Sequence, residues 1–382
     1  MSKSITHAEV HRFIEEAVGP DTHAKRVLSL SNATLGAVHA ASLSVRAIGL
    51  ALSQARGLEG KHAIKQVDRL LSNSGVDVWR LFAQWVPFVV AERKAVTVTI
   101  DWTDFESDDH TTVAIQLVTR HGRATPLLWK TVPKSELAGQ RNAHEDALLE
   151  RLHQVLPSDV EVTVLADRGF GDVALYELLD RLSFGYVIRF RGVVHVESAG
   201  GEVHKAKEWV PPTGRPKLLR GARVTQARFG VGAVVCVHQK GMKEAWFLAA
   251  SSKEATATEL VKAYGRRFTC EETHRDIKDL RFGMGLSAIA IGTCERRDRL
   301  LLLSAFAMAL LRLLGAAGEA TGLDRKFRAD TRKTREYSLF RQGIIYYGAL
   351  ANMREEWLRP LMEKFAELIR EQAVFREAFG FI

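Results

Sequence analysis

The chain has 382 residues, 46% of them hydrophobic, enough for one large domain or two to three smaller ones. Its three cysteines, Cys236, Cys270 and Cys294, are far apart and form no CxxC pair, which argues against a disulfide framework or a structural zinc site and suits a reducing cytoplasm. A formal net charge of +9 favours polyanionic partners, because a lysine or arginine that meets a phosphate releases a condensed counterion.

Residues 1–13 lack the apolar centre of a signal peptide, so a cytoplasmic protein, bacterial by type, is expected. Residues 1–90 read as helical. Val10, Phe13, Ile14, Ala17 and Val18 recur at a spacing of three to four and share one face. The pattern continues over 33–58 and 62–73. In the latter, Ile64, Val67, Leu70 and Leu71 should be buried and Lys61, Lys65 and Arg69 exposed, before Ser72-Asn73-Ser74-Gly75 stops the helix. Two short helices with a basic flank suit a helix-turn-helix in a DNA groove, and equally a bundle with solvated lysines. Region 1–90 is taken as a candidate DNA-binding region.

Near residue 95, Val96, Val98 and Ile100 alternate with Thr97, Thr99 and Asp101, which predicts a strand. Further strands are predicted at 111–119, 125–132, 161–166 and 186–190, with helices at 142–156 and 173–182. The order βββαβαβ predicts an α/β fold with a mixed central sheet, over 91–191 and 244–320. Between these, 192–243 is punctuated by Gly200-Gly201, Pro211-Pro212, Gly214 and Pro216, and reads as a β-rich insertion with strands at 223–229 and 231–238. A strand at 245–250 leads to one long helix at 256–280. The apolar run 300–311 is shorter than the roughly 18–20 residues a membrane span needs, so a buried helix is expected and no membrane partner. Region 321–382 should be helical, at 337–351 and 354–379, serving either dimerisation or the core.

Asp101 and Asp167 each finish an apolar strand, where functional groups emerge from open α/β sheets. A carboxylate there is costly to bury unless something positive meets it. Each could also simply begin a turn or cap a helix, and Asp104, Asp108 and Asp109 lie near Asp101 in a polar turn. In the long helix, an advance of about 100° per residue puts Tyr264, Arg267, Glu271, Arg275 and Lys278 on one stripe. Cys270, Thr273, Ile277 and Leu280 fall on the opposite side, toward a core, while Phe268 lies awkwardly on the charged side.

Those residues carry a resemblance. Tyr264, Arg267, Glu271 and Lys278 fit the signature Tyr-x2-Arg-x3-Glu-x6-Lys, and they follow a TIDWTDF segment with Asp101 and an ADRGFGD segment with Asp167. Over roughly residues 60–310 the chain resembles DDE transposases of the insertion-sequence-four family. The resemblance implies a ribonuclease H-like catalytic domain interrupted by a β-rich insertion, with helical regions on either side. It also implies double-stranded DNA as partner, as transposon terminal inverted repeats and target, and a homodimer on paired ends. In relatives a tryptophan at the end of the insertion stacks on a flipped base; Trp246 occupies the similar place, with core packing as the other reading. Phe268 stands where many relatives carry tryptophan. Two Mg2+ (or Mn2+) ions per active site are expected on Asp101, Asp167 and Glu271, with Asp101 bridging both, because phosphodiester cleavage needs an activated water and neutralised charge at phosphorus. Arg267, Arg275, Lys278 and Tyr264 would grip terminal phosphates. Another ribonuclease H-like nuclease or resolvase, or an inactive DNA-binding derivative, would share most of these marks; strand transfer separates the first, and loss of a carboxylate would mark the second.

Overall fold

The computed structural model describes residues 4–105, 108–329, 331–333 and 335–370. Five helices come first: α1 (His7–Val18), α2 (Ala24–Ala40), α3 (Val45–Arg56), α4 (Gly60–Ser72) and α5 (Val78–Val90). Thr6 and Glu9 close a reciprocal cap on α1, satisfying amides that a helix start leaves unpaired. The run expected at 33–58 is broken. Ala41 turns left-handed, Ser44 is extended, and α2 and α3 meet at 99°. On α4, Val67, Leu70 and Leu71 are buried, Ile64 is half-buried, and Lys61, Lys65 and Arg69 are exposed.

The sheet is built from β1 (Ala95–Phe105), β2 (His110–Val118), β3 (Ala124–Pro133), β4 (Glu161–Ala166) and β5 (Gly185–Arg189), with α6 (Arg141–Val155) and α7 (Val173–Arg181) as connections. The β1–β2–β3 meander is antiparallel, and β4 and β5 run parallel to β1. The insertion departs from expectation. β8 (Lys217–Arg220) and β11 (Ala233–Val237) join β12 (Trp246–Ala250) and extend the main sheet to eight strands, in the order β3-β2-β1-β4-β5-β12-β11-β8. All five residues of β11 are buried, and a strand apolar on both faces needs cover on both faces. Only β6 (His195–Glu197), β7 (Val203–Lys205), β9 (Arg223–Val224) and β10 (Phe229–Gly230) form a separate small sheet.

The long helix expected at 256–280 is two helices, α8 (Ala257–Gly265) and α9 (Phe268–Lys278). Gly265 gives the backbone no side-chain support, and the amides of Arg266 and Arg267 bond three residues back, to Ala263 and Tyr264, in a tightened turn. Beyond α9 the Asp279 carboxylate accepts from the amides of Arg281 and Phe282 and turns the chain away. Leu280, expected in the core, is therefore 71% exposed.

α10 (Cys294–Ala320) contains the 300–311 run. By composition it could cross a membrane, yet 89% of its apolar window is packed inside the protein. It touches α2, α4, β3, α11 (Leu339–Ala349) and α12 (Glu355–Arg370), so the helical regions and the sheet share one core. The expected helix 354–379 is described only to Arg370; positions 371–379 lie outside the described residues.

α10 and α11 approach so closely that a Cβ at Gly343 would collide with the Leu311 carbonyl, and one at Gly315 with that of Leu339. Gly343→Val should therefore cost about 2 kcal/mol or more by overpacking. The urea unfolding midpoint reads this directly, and an unchanged midpoint would show that the helices can part without penalty.

Candidate active site

The register between β1 and β4 pairs Ile100 with Ala166. The next residue in each segment is an aspartate, so Asp101 and Asp167 stand side by side; Asp167 follows the end of β4, whereas Asp101, expected to finish its strand, lies within β1, which pairs on with β2 as far as Phe105. Neighbouring strands lie about 4.8 Å apart, which brings the two carboxyl groups into one electrostatic environment. Burial raises the Asp101 pKa, the Arg267 guanidinium opposes that rise, and the nearby Asp167 adds to it. Asp167 is half-buried, and its Oδ1 accepts from the Gly169 amide at 2.7 Å.

Arg267 reaches both sides of this site. Its guanidinium donates to Asp101 Oδ2 at 3.4 Å and to Glu271 Oε1 at 2.5 Å. The Arg267 side chain is only 8% exposed; burial works against its charge, but Tyr264, Cys270 and the two carboxylates hold its pKa above the usual guanidinium value. Cys270 lies 3.6 Å from Asp101 Oδ2, and burial pushes its thiol up to about 12, so it acts as a neutral donor there.

The expected stripe is thus divided. Tyr264 is buried among Leu165, Val187, Leu248 and Leu260, where it cannot reach a phosphate in this arrangement. The tight turn at Arg266 and Arg267 rotates Arg267 inward, so its charge meets carboxylates rather than solvent. Glu271 and Arg275 remain exposed, Arg275 pairing with Glu272 at 2.8 Å. Lys278 donates to the Asp104 carbonyl at 2.7 Å and lies 4.6 Å over the Phe105 ring. Trp246 sits edge-on to Tyr264 at 4.9 Å and 6.0 Å from Phe268, whose ring is 40% exposed. These aromatics form a shelf beside the acids, partly core and partly open.

The other nearby aspartates are occupied elsewhere. Asp104 pairs with Lys134 at 2.9 Å and accepts from Thr111 at 2.7 Å. Asp108 pairs with the buried Arg297, and Asp109 accepts from Ser135.

Composition and spacing did not reveal what holds α9 against the sheet. Thr273 Oγ1 accepts from the Ala124 amide at 2.8 Å and meets its carbonyl at 2.9 Å, and Arg123 pairs with Asp276 at 2.7 Å. Gln116 and His274 lie 2.6 Å apart, with burial lowering the His274 pKa to about 4. An acid at 276 three residues past a buried threonine was the one available signal, and it needed a partner on β3 to be read.

The family model described as Transposase DDE domain matches residues 93–287, just over half of the chain, and spans Asp101, Asp167 and Glu271. The chain belongs to the DDE transposases. No curated protein matches it. The eight-stranded mixed sheet with flanking helices is the ribonuclease H-like α/β fold expected of a DDE transposase, its first five strands ordered β3-β2-β1-β4-β5. Among the described residues no group of three or more His, Cys, Asp or Glu is gathered closely enough to hold a metal ion as it stands, and the Arg267 guanidinium pairs with both Asp101 and Glu271. The donors nonetheless fit a hard divalent cation in kind. They are carboxylate oxygens, and two of them stand side by side where burial makes the negative charge unfavourable.

A carboxyl whose folded pKa is raised costs stability wherever it is ionised, and costs nothing once pH falls below its unfolded value of about 3.9. Asp101→Asn should therefore raise the thermal unfolding midpoint of the metal-free DDE transposase at pH 7. The gain should shrink as pH falls through the folded pKa of Asp101. A variant less stable than the parent at pH 7 would mean that the Arg267 pairing outweighs burial.

Proposed function

We propose that the protein is the transposase of an insertion sequence of the insertion-sequence-four type, which cuts its element free and joins the 3′-hydroxyl ends to target DNA. The observation that carries this reading is the β1–β4 register, which sets Asp101 and Asp167 side by side within the matched domain, with Glu271 linked to Asp101 through Arg267. We assign Asp101, Asp167 and Glu271 as metal ligands. Two Mg2+ or Mn2+ ions, when bound, would neutralise charge at phosphorus and activate water as nucleophile.

The protein's own part is to position DNA. Arg275, exposed on α9, and Lys278 at its end lie along the path of a phosphate backbone that enters at the acids. Lys278, which holds the Asp104 carbonyl, brings a compact positive charge to that end of the helix for a phosphate. The exposed Phe268 edge and half-buried Trp246 offer a stacking surface for an unpaired base. Lys61, Lys65 and Arg69 on the free face of α4 would hold DNA further from the cut. A homodimer on paired ends follows from the resemblance. α11 and α12 bury apolar residues within their own chain, so a dimer through these helices would use their exposed faces.

Glu271→Gln should still bind a duplex carrying the element's terminal inverted repeat, while Mg2+-dependent nicking falls below detection. Undiminished nicking in that variant would remove Glu271 from the site. For Lys278→Ala we expect weaker binding of the same duplex and a salt dependence shallower by about one unit. A slope equal to the parent's would count against the phosphate contact.

A further inference from the structure

We propose that Arg267 is a built-in counter-ion that a divalent cation must displace from the acids, so that metal and DNA load cooperatively. The proposal rests on the assignment of Asp101 and Glu271 as ligands. The guanidinium spans both carboxylates and is 8% exposed. A dication on the same oxygens would face a fixed positive charge a few ångströms away, in surroundings that screen it poorly. The two cannot both be well held.

Arg267 has somewhere to go. It lies at the break between α8 and α9, where the backbone bonds are those of a tight turn and not of a continuous helix. Its Nε is buried without a partner, so one donor is unspent. The guanidinium also lies 5.2 Å over the ring of Phe268, a residue that is itself partly exposed. A guanidinium leaving Glu271 needs another oxyanion, and the two non-bridging oxygens of a phosphodiester match its fork. DNA would supply that anion and free the carboxylates for the cation. Linkage then requires the reverse: metal tightens DNA by the same factor that DNA tightens metal. Without DNA, the acids stay neutralised and bind free divalent ions weakly.

The test is Mn2+ binding to the full chain, followed by the electron spin resonance of free Mn2+, with no turnover measured. Without DNA, Arg267→Gln should bind Mn2+ about ten-fold more tightly than the parent, within the usual span of coupling between sites. A short duplex of arbitrary sequence should tighten Mn2+ binding by the parent and leave Arg267→Gln nearly unchanged. Asp101→Asn should weaken Mn2+ binding in both backgrounds. If Arg267→Gln binds no more tightly than the parent while Asp101→Asn still weakens binding, the counter-ion proposal is overturned and the metal site stands. If Asp101→Asn leaves binding unaltered, the ligand assignment falls and the proposal with it. Circular dichroism checks each fold. Should Arg267→Gln fail to fold, Arg267→Lys carries the test: its ammonium reaches one carboxylate at most, so tighter Mn2+ binding than the parent supports the proposal and equal or weaker binding overturns it.

Discussion

A carboxyl buried within β1, beside a second that follows the end of the parallel strand β4, is an arrangement that folding alone disfavours. Asp101 loses water, and the nearby Asp167 adds to the cost of its charge. The β1–β4 register leaves no freedom to separate them, because a one-residue slip would turn every side chain of the strand to the other face. The chain answers with a single buried arginine. Arg267 supplies the positive charge that Asp101 lacks, and extends it to Glu271, which sits on a different element 170 positions later in the chain.

That answer works only if α9 is held accurately against the sheet. Four contacts of different kinds do this: Thr273 on the backbone of Ala124, His274 beside Gln116, Asp276 on Arg123, and Lys278 on the Asp104 carbonyl. They are spread over about one and a half turns of α9 and reach β1, β2 and the start of β3. A hinge at one contact therefore does not free the helix. The fully buried Arg312 of α10 adds a further link, donating to the Ala124 carbonyl and the Thr125 hydroxyl at 3.1 Å each. Ala124 thus ties α9 and α10 to one edge of the sheet.

Much of the fold was legible in the sequence, and the reason is periodicity. The 161–166 strand matches β4 residue for residue, and the β1 alternation is reproduced at Val96, Thr97 and Val98 but not at Thr99, which is buried because the sheet is covered on both faces. Asp167 follows the end of its apolar run as expected, whereas Asp101 ends the apolar run but not the strand. Their adjacency was not legible, since it depends on a parallel pairing that no local pattern encodes. The wheel drawn through 264–278 failed for a specific reason. It assumed 100° per residue across Gly265 to Arg267, where the backbone tightens, so Tyr264 and Arg267 moved from the open face into the interior. Leu280 failed because the helix ended two residues before it. The buried pair of Arg297 with Asp108 was beyond reach, because its partners lie 189 positions apart. In the insertion, glycines and prolines signalled a change of texture correctly, but strand order decides which sheet a short strand joins, and β11 found its partner in β12 and β8 in β11.

The Arg297–Asp108 pair shows how far the geometry of the acids depends on residues outside the site. Arg297 is wholly buried in α10, stacks at 3.9 Å on Phe105, and donates to His110 at 3.1 Å as well as to Asp108. Asp108 in turn accepts from the Ile291 amide at 3.0 Å. Phe105 therefore has the Arg297 cation against its ring at 3.9 Å and the Lys278 ammonium at 4.6 Å, which fixes the end of β1 four residues past Asp101. α10 also carries Asp298, which accepts from the backbone and hydroxyl of Thr131 on β3. Since α2 and α4 pack on the same helix, the N-terminal helices and the acids are braced by one element. Arg297 and Asp298 on one face of α10 thus set the positions of Phe105 and Thr131 in the sheet, while its other contacts hold the N-terminal helices, and a helix packed on several sides is buried and apolar for that reason.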